Sequence, residues 1–256
     1  MNSTMKNALI LGGTRGIGRA LALRLLARGM HVTVCGRHPE GLLDSPMGGH
    51  PALRVVALDV GDASAVRRVI TQAAAPGHPL DLLVVTAGRY FNTRAHQLDE
   101  SATLSLLRTN VSGLANAFEA AAELMLAQGH GRMVAISSMA GLLKDRPGAS
   151  VYGATKRSVL SLCDTYRKAL TPFGVFVTAI VPGYVDTEQL RALNNGDARH
   201  KPFLMSEAEA VRRICRAIDA GTPVCAFPWQ MRAIVALLNL VPKWTRVPET
   251  HAPARG

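Results

Sequence analysis

Acidic residues are scarce in this sequence, 18 against 29 lysines and arginines, which leaves a formal charge of +11 and an isoelectric point near 10.2. That excess suits nucleic acid, anionic lipid or an anionic small molecule as partner. Aromatic residues are scarce as well, at 5%. The basic residues are spread along the chain, no basic run carries interleaved aromatics and no helix-turn-helix signature is present, so the stacking platforms that nucleic acid needs are missing and that function class is set aside. Cys35, Cys163, Cys215 and Cys225 form no Cys-x-x-Cys pair, and three sit among apolar or small residues. Reduced thiols in a cytoplasm are expected rather than a disulfide framework. The eight histidines have no i, i+4 pairing, so no metal is expected. Met1 to Lys6 is polar, with no charged-then-apolar leader, and the apolar run from Ala233 to Val241 is broken by Asn239 and too short to span a bilayer. The expectation is a soluble cytoplasmic protein, or at most one attached to a membrane surface.

What is abundant points to a packed enzyme. Hydrophobic residues make up 48% and charged residues 18% of 256 positions, a length that α/β chains commonly use as one domain, here residues 1–256. Short runs rich in β-branched residues read as strands buried on both faces: Ala8 to Leu11, His31 to Cys35, Leu53 to Leu58, Leu82 to Thr86, Arg132 to Ser137, Phe176 to Val181 and Val224 to Phe227. Helical patterns lie between them, at Ile17 to Arg28, Ala63 to Ala75, Ser101 to Leu107, Val111 to Ala127, Val151 to Leu170 and Glu207 to Ala220. Ser206 with Glu209 forms a capping box for the last. Strand then helix, repeated, implies right-handed crossovers and a parallel, doubly wound Rossmann-type sheet. The polar stretch from Leu190 to Phe203 reads as a lid over a ligand, within a segment spanning 190–205, and residues 229–256 form a C-terminal extension.

The first strand runs into Gly12-Gly13-Thr14-Arg15-Gly16-Ile17-Gly18 and then directly into a helix. Glycines there permit a tight turn and close approach to a pyrophosphate, which the free N–H groups and positive end of the helix attract. At the end of the second strand, where a dinucleotide site for NAD carries an acid, stand Gly36 and Arg37. A carboxylate would repel a 2′-phosphate and a guanidinium would pair with it, so NADPH is preferred over NADH, with Arg15 within reach of the same region. The bland alternative for Arg37 is a solvated surface arginine. Asp59-Val60, after the third strand, offers a carboxylate to an adenine amino group, or Asp59 is simply a helix N-cap.

Tyr152 and Lys156 lie four apart on a helical pattern, hence on one face. An ammonium beside a phenol favours the phenolate, making the pair a general acid and base near neutrality. Ser138 ends the fifth strand, at the carboxyl edge of the sheet, where its hydroxyl can hydrogen-bond a substrate oxygen as charge develops.

From about Leu9 to Thr187 the sequence resembles the classical short-chain dehydrogenase/reductase family. The resemblance rests on Gly12, Gly16 and Gly18, Asp59, Ala87-Gly88, Asn110, Ser138, Tyr152, Lys156, and Pro182-Gly183 with Thr187. It implies a seven-stranded parallel sheet in the order 3-2-1-4-5-6-7 and hydride transfer between a nicotinamide and a carbonyl carbon, with Tyr152 giving its proton to the oxygen. It further implies that Lys156 holds the nicotinamide ribose and depresses the tyrosine pKa, and that Ser138 positions the carbonyl. Asn110 would support a water relaying protons to Lys156, and Pro182 to Thr187, Val185 among them, would line the nicotinamide. The sequence also departs from the family. Val85-Thr86-Ala87-Gly88 replaces the frequent Asn-Asn-Ala-Gly, so that turn is held differently. The interval from Ser138 to Tyr152, with Lys144-Asp145-Arg146 inside it, is one residue longer than the commonest, which leaves Ser137 as a substitute for Ser138. Phe227-Pro228-Trp229 stands where bacterial ketoacyl reductases commonly end in Asp-Gly-Gly.

Trp229 to Trp244 reads as an amphipathic basic helix, with Arg232 and Lys243 among Met231, Ile234, Val235, Leu237, Leu238, Leu240 and Val241. Packing against the core or a second subunit is the favoured reading, since apolar faces at helical spacing are usually buried; a lipid interface or a pocket wall is the other. A homodimer or homotetramer through the helices Val111 to Ala127 and Val151 to Leu170 is expected from the family. Two rival functions remain: a reductase of 3-oxoacyl thioesters or lipid-like ketones, and a regulator that senses NADP(H) without turnover.

Overall fold

The computed structural model describes residues 5–74, 77–90, 100–143 and 150–240. Nine strands are present among them: β1 (Asn7–Leu11), β2 (His31–Gly36), β3 (Leu53–Ala57), β4 (Leu82–Val85), β5 (Gly131–Ile136), β6 (Val175–Pro182), β7 (Val185–Asp186), β8 (Met205–Ser206) and β9 (Val224–Phe227). Seven form one parallel sheet in the order β3-β2-β1-β4-β5-β6-β9, the expected arrangement, while β7 and β8 pair with each other. The helices are α1 (Gly16–Leu26), α2 (Glu40–Leu43), α3 (Ala63–Ala73), α4 (Glu100–Leu107), α5 (Gly113–Gln128), α6 (Val151–Leu170), α7 (Glu188–Ala192), α8 (Glu207–Ala220) and α9 (Trp229–Leu240).

Successive strand side chains point to opposite faces, so an unbroken apolar run serves two cores at once. Leu9, Leu11, Leu83 and Val85 join one core with Ile70 of α3, Phe118 of α5 and Val159 of α6. Ala8, Ile10, Leu82 and Val84 join the other with Leu21 and Leu25 of α1 and Ile214 and Ile218 of α8. All four cysteines are free, and burial pushes the Cys35 and Cys163 thiols up to about 12, which keeps them unreactive.

Helix starts follow local chemistry, with one correction. The cap of α3 is Asp62, which accepts from Ala65 N at 3.0 Å; Asp59, three residues earlier, is in a turn and caps nothing. Ser206 caps α8 by accepting from Glu209 N at 3.2 Å, but the reciprocal half of the box is replaced, since the Glu209 carboxylate turns to Arg212 and Arg213. Gly221, at φ +62°, ends α8 in the left-handed conformation that costs glycine little. The two helices expected around residues 101–127 are joined by a π turn at Arg108–Ser112, which carries Asn110.

The segment expected to be a lid has α7 and β8 at its two ends. Of the tail, α9 packs by one side only: Val235 is buried, because one side of this short helix faces the sheet's carboxyl edge and the rest faces outward. Ala75, Lys144, Asp145, Arg146, Val241, Lys243 and Trp244 lie outside the described residues.

Candidate active site

The loop after β1 is closed by backbone packing. Gly12 has φ +91°, and a Cβ there would collide with the backbone nitrogen of Ala87. A Cβ on Gly18 would sit 2.5 Å from Gly12 O. Thr86, standing where the family often has Asn, holds this contact by donating its hydroxyl hydrogen to Gly12 O at 2.8 Å. The first residue of α1 is preceded by Arg15 in extended conformation, with no side chain capping the helix and no acid in its first turn. Its free N–H groups and positive end therefore face the adjoining cleft uncompensated, as an anion site requires.

That cleft has a volume of about 750 Å³ and runs along the carboxyl edge of the sheet. Every residue expected to touch a cofactor lines it: Gly12, Thr14, Arg15, Gly16, Ile17, Gly18, Arg37, Asp59, Val60, Ala87, Gly88, Tyr152, Lys156, Pro182, Gly183, Val185 and Thr187. A dinucleotide fits this cradle of backbone and small side chains. At its far end, where NAD sites hold an acid, stands Gly36, packed against the Thr14 side chain, so that a Cβ there would meet Thr14 Oγ1 at 2.7 Å and require that side chain to turn away. Arg15 and Arg37 are exposed beside it, and among the described residues neither pairs with a carboxylate. Asp59 accepts from Gly61 N at 3.0 Å and lies 3.6 Å from Arg108.

At the other end α6 brings Tyr152 and Lys156 together one turn apart, the helix being capped by Ser150, which accepts from Gly153 N. Ser138 hydrogen-bonds the Tyr152 side chain and also accepts from Ala140 N at 3.2 Å. Ser137 is committed elsewhere, donating to Lys156 O at 2.7 Å in the core, so Ser138 is the serine that meets the tyrosine. The Lys156 Nζ donates to Ile136 O at 2.9 Å and lies 5.8 Å from the Tyr152 ring centroid. Burial dominates both titrations: it pushes the phenol up to about 12 against the hydrogen bond from Ser138, with Tyr90 adding to the rise, and it pulls the ammonium down to about 8. The expected pull of the lysine on the tyrosine is absent from this geometry, because at that distance and with its proton turned to Ile136 O the ammonium does not offset the loss of water.

The short chain dehydrogenase family model matches residues 6–198, three-quarters of the chain and all of the cleft just described except the last lid and α9 residues. The chain belongs to this family. The short-chain dehydrogenase is 33% identical over 240 residues, 93% of each chain, to an uncharacterized oxidoreductase of Myxococcus xanthus (strain DK1622). It is 32% identical over 196 residues to the 3-oxoacyl-(acyl-carrier-protein) reductase of Synechocystis, covering 75% of this chain and 78% of that one. Among solved structures, ElxO with NADP bound superposes with a TM-score of 0.80 at 24% identity, over 90% of this chain and all of that one. A short chain dehydrogenase/reductase family protein superposes at 0.74 with 31% identity, over 88% and 96%. This chain is an oxidoreductase.

Asn110 stands apart from the other expected residues of this short-chain dehydrogenase, behind the cleft wall. Its Oδ1 accepts from Arg89 N at 2.7 Å, and its Nδ2 donates to Arg89 O and Thr155 Oγ1, both at 3.0 Å. The π turn thus ties the loop after β4 to α6 and sets Gly88 beside Lys156, where a Cβ would lie 3.3 Å from Nζ. With both amide hydrogens committed, the Asn110 side chain holds the loop after β4 against α6. Tyr90, unsuspected from sequence, packs edge-on against Tyr152 with ring centroids 4.9 Å apart. No spacing signal could have found it, since it owes its place to chain brought in from elsewhere. Thr187 caps α7 through Leu190 N at 3.1 Å. The mouth beyond Tyr152 is walled by Leu143, Leu190 and Leu193, by Lys201 above the Tyr184 ring, and by Met231 and Val235 of α9.

Proposed function

We propose that this short-chain dehydrogenase is an NADPH-dependent reductase of a ketone or aldehyde, or the corresponding alcohol dehydrogenase in reverse. The observation that carries the reading is the hydrogen-bonded Ser138–Tyr152 pair beside Lys156, at the apolar end of a cleft whose other end is an uncapped helix N-terminus. Bound nicotinamide supplies or accepts the hydride. Tyr152, protonated throughout the neutral range, donates its proton to the carbonyl oxygen, and Ser138 directs that oxygen by hydrogen bonding. Lys156 holds the nicotinamide ribose and returns the proton, with Asn110 fixing the wall behind it and any water relay running past its committed side chain. Pro182, Gly183, Val185 and Thr187 line the nicotinamide, and residues 190–205 with α9 act as lid and outer wall.

Preference for NADPH is supported by the absence of an acid at Gly36 and by the exposed guanidinium groups of Arg15 and Arg37, which have no acidic partner among the described residues. A substrate of lipid character is the second reading, favoured by Leu143, Leu190, Leu193, Met231 and Val235 around the mouth. The Synechocystis relative, a reductase of 3-oxoacyl groups, agrees with it. Self-association into a dimer or tetramer is supported by exposed Leu104 and Leu107 on α4 and Leu126 on α5. The test follows NADPH and NADH oxidation over carbonyl compounds from small aldehydes to quinones, steroids and long-chain 3-oxoacyl esters. Turnover is expected with NADPH well above NADH, and Tyr152→Phe is expected to bind NADPH normally and lose at least about a hundredfold in kcat. NADPH binding without turnover of any carbonyl compound would leave the sensing regulator as the reading.

A further inference from the structure

The outward face of α9 is unusual for a helix over an active site. Trp229, Leu237 and Leu240 are 70%, 66% and 77% exposed, and Ala233 and Ala236 lie on the same stripe. At 100° per residue these positions fall on one side of the helix, opposite Met231 and Val235, which line the cleft. The helix is not loosely placed: Asn239 Nδ2 donates to Leu142 O at 2.8 Å, fixing α9 to the turn that follows Ser138. On the lid, Leu193 lines the same cleft and is half-exposed. The helix therefore walls one side of the pocket with Met231 and Val235 and turns its apolar stripe outward.

Charge selects the occupant of that surface. From Ala220 to Pro248 the sequence has no Asp or Glu and carries Arg232, Lys243 and Arg246, in a protein of charge +11. Two copies of so basic a segment repel each other, whereas an anionic lipid surface attracts it. Tryptophan beside an apolar stripe with basic flanks is the composition of a helix that lies in a bilayer interface, and no described helix is long and apolar enough to cross a membrane. We infer that α9 seats this protein on anionic membranes through its outward stripe, with the pocket that its inner side walls held near the lipid surface, so that the substrate is a carbonyl compound resident in the bilayer. The substrate half of this inference rests on the reductase reading above; the membrane half does not.

The experiment is co-sedimentation of the full chain with vesicles of phosphatidylglycerol and phosphatidylcholine, against phosphatidylcholine alone, at about 150 mM salt so that diffuse charge attraction is screened. Binding to the anionic vesicles is expected, with a blue shift of Trp229 emission in a Trp244→Phe background. The double variant Leu237→Glu/Leu240→Glu is expected to lose at least about tenfold in partitioning while keeping its circular dichroism and its turnover of a small water-soluble ketone. Long-chain 3-oxoacyl esters in anionic vesicles are expected to be reduced faster by the wild type than by the double variant. The membrane inference is overturned if anionic vesicles do not sediment the protein, if the double variant sediments equally well, or if light scattering shows the two leucines holding a dimer. Vesicle binding without NADPH turnover of any carbonyl compound would overturn the reductase reading and leave the membrane surface standing.

Discussion

Replacing Lys156 by Met isolates the energetic cost of the catalytic constellation. The ammonium is 5% exposed, and burial lowers its pKa from 10.5 to about 8. A change of that size corresponds to about 3 kcal/mol by which the folded protein disfavours the charged form below pH 8. Methionine keeps the length and the apolar stem, removes the charge, and forfeits the hydrogen bond to Ile136 O, itself worth about 1.5–3 kcal/mol with a charged donor. At pH 7 Lys156→Met is thus expected to be inactive and more stable than the wild type by about 1 kcal/mol, or about 2–4 °C in Tm. The pH dependence is the sharper readout. Between about 8 and 10.5 the unfolded lysine keeps a proton that the folded one has lost, so wild-type stability rises with pH through that window while the variant lacks this rise. Tyr152, raised to about 12, is present in both proteins and cancels in the difference. Urea unfolding of the cofactor-free proteins at pH 7 and pH 10 measures the quantity directly. A variant less stable at pH 7, by an amount that does not change with pH, would refute the reasoning.

Arg15→Ala and Arg37→Ala are each expected to raise the KM for NADPH about 10- to 100-fold and leave that for NADH nearly unchanged, the size of one charge-assisted hydrogen bond to phosphate; equal losses with both cofactors would reject the assignment. Gly18→Ala, whose Cβ has no room beside Gly12 O, is expected to abolish NADPH binding in fluorescence titration, while Gly49→Ala, with nothing within 4 Å, changes nothing. Asn110→Leu removes three hydrogen bonds and leaves Arg89 N and O unpaired, for an expected loss of about 2–4 kcal/mol in urea unfolding together with reduced kcat. In steady-state assays the rate of carbonyl reduction is expected to hold through neutral pH and fall above about 8 as Lys156 loses its proton; a rate still rising at pH 9 would contradict it.

The sequence by itself determined the sheet, because runs such as LIL and LLVV must be buried on both faces and only a parallel sheet wrapped by helices does that. It also determined the chemical identities in the cleft, since glycine spacing after β1 and the i, i+4 Tyr152–Lys156 pair are local in the chain. Tertiary structure decided what depends on neighbours from distant segments. Asp59 and Asp62 are indistinguishable as caps until the turn between them is formed, and Ser137 and Ser138 until α6 lies across the end of β5. The tyrosine pKa went against the local expectation because burial is a property of the packed cleft and the Lys156 proton is claimed by Ile136 O. Thr86, Tyr90 and the π turn at Asn110 act through contacts with chain 21 to 75 residues away. The periodicity of α9 shows that it has an apolar face; only its docking through Asn239 and Val235 decides that the larger part of that face points outward, beside the mouth of the pocket.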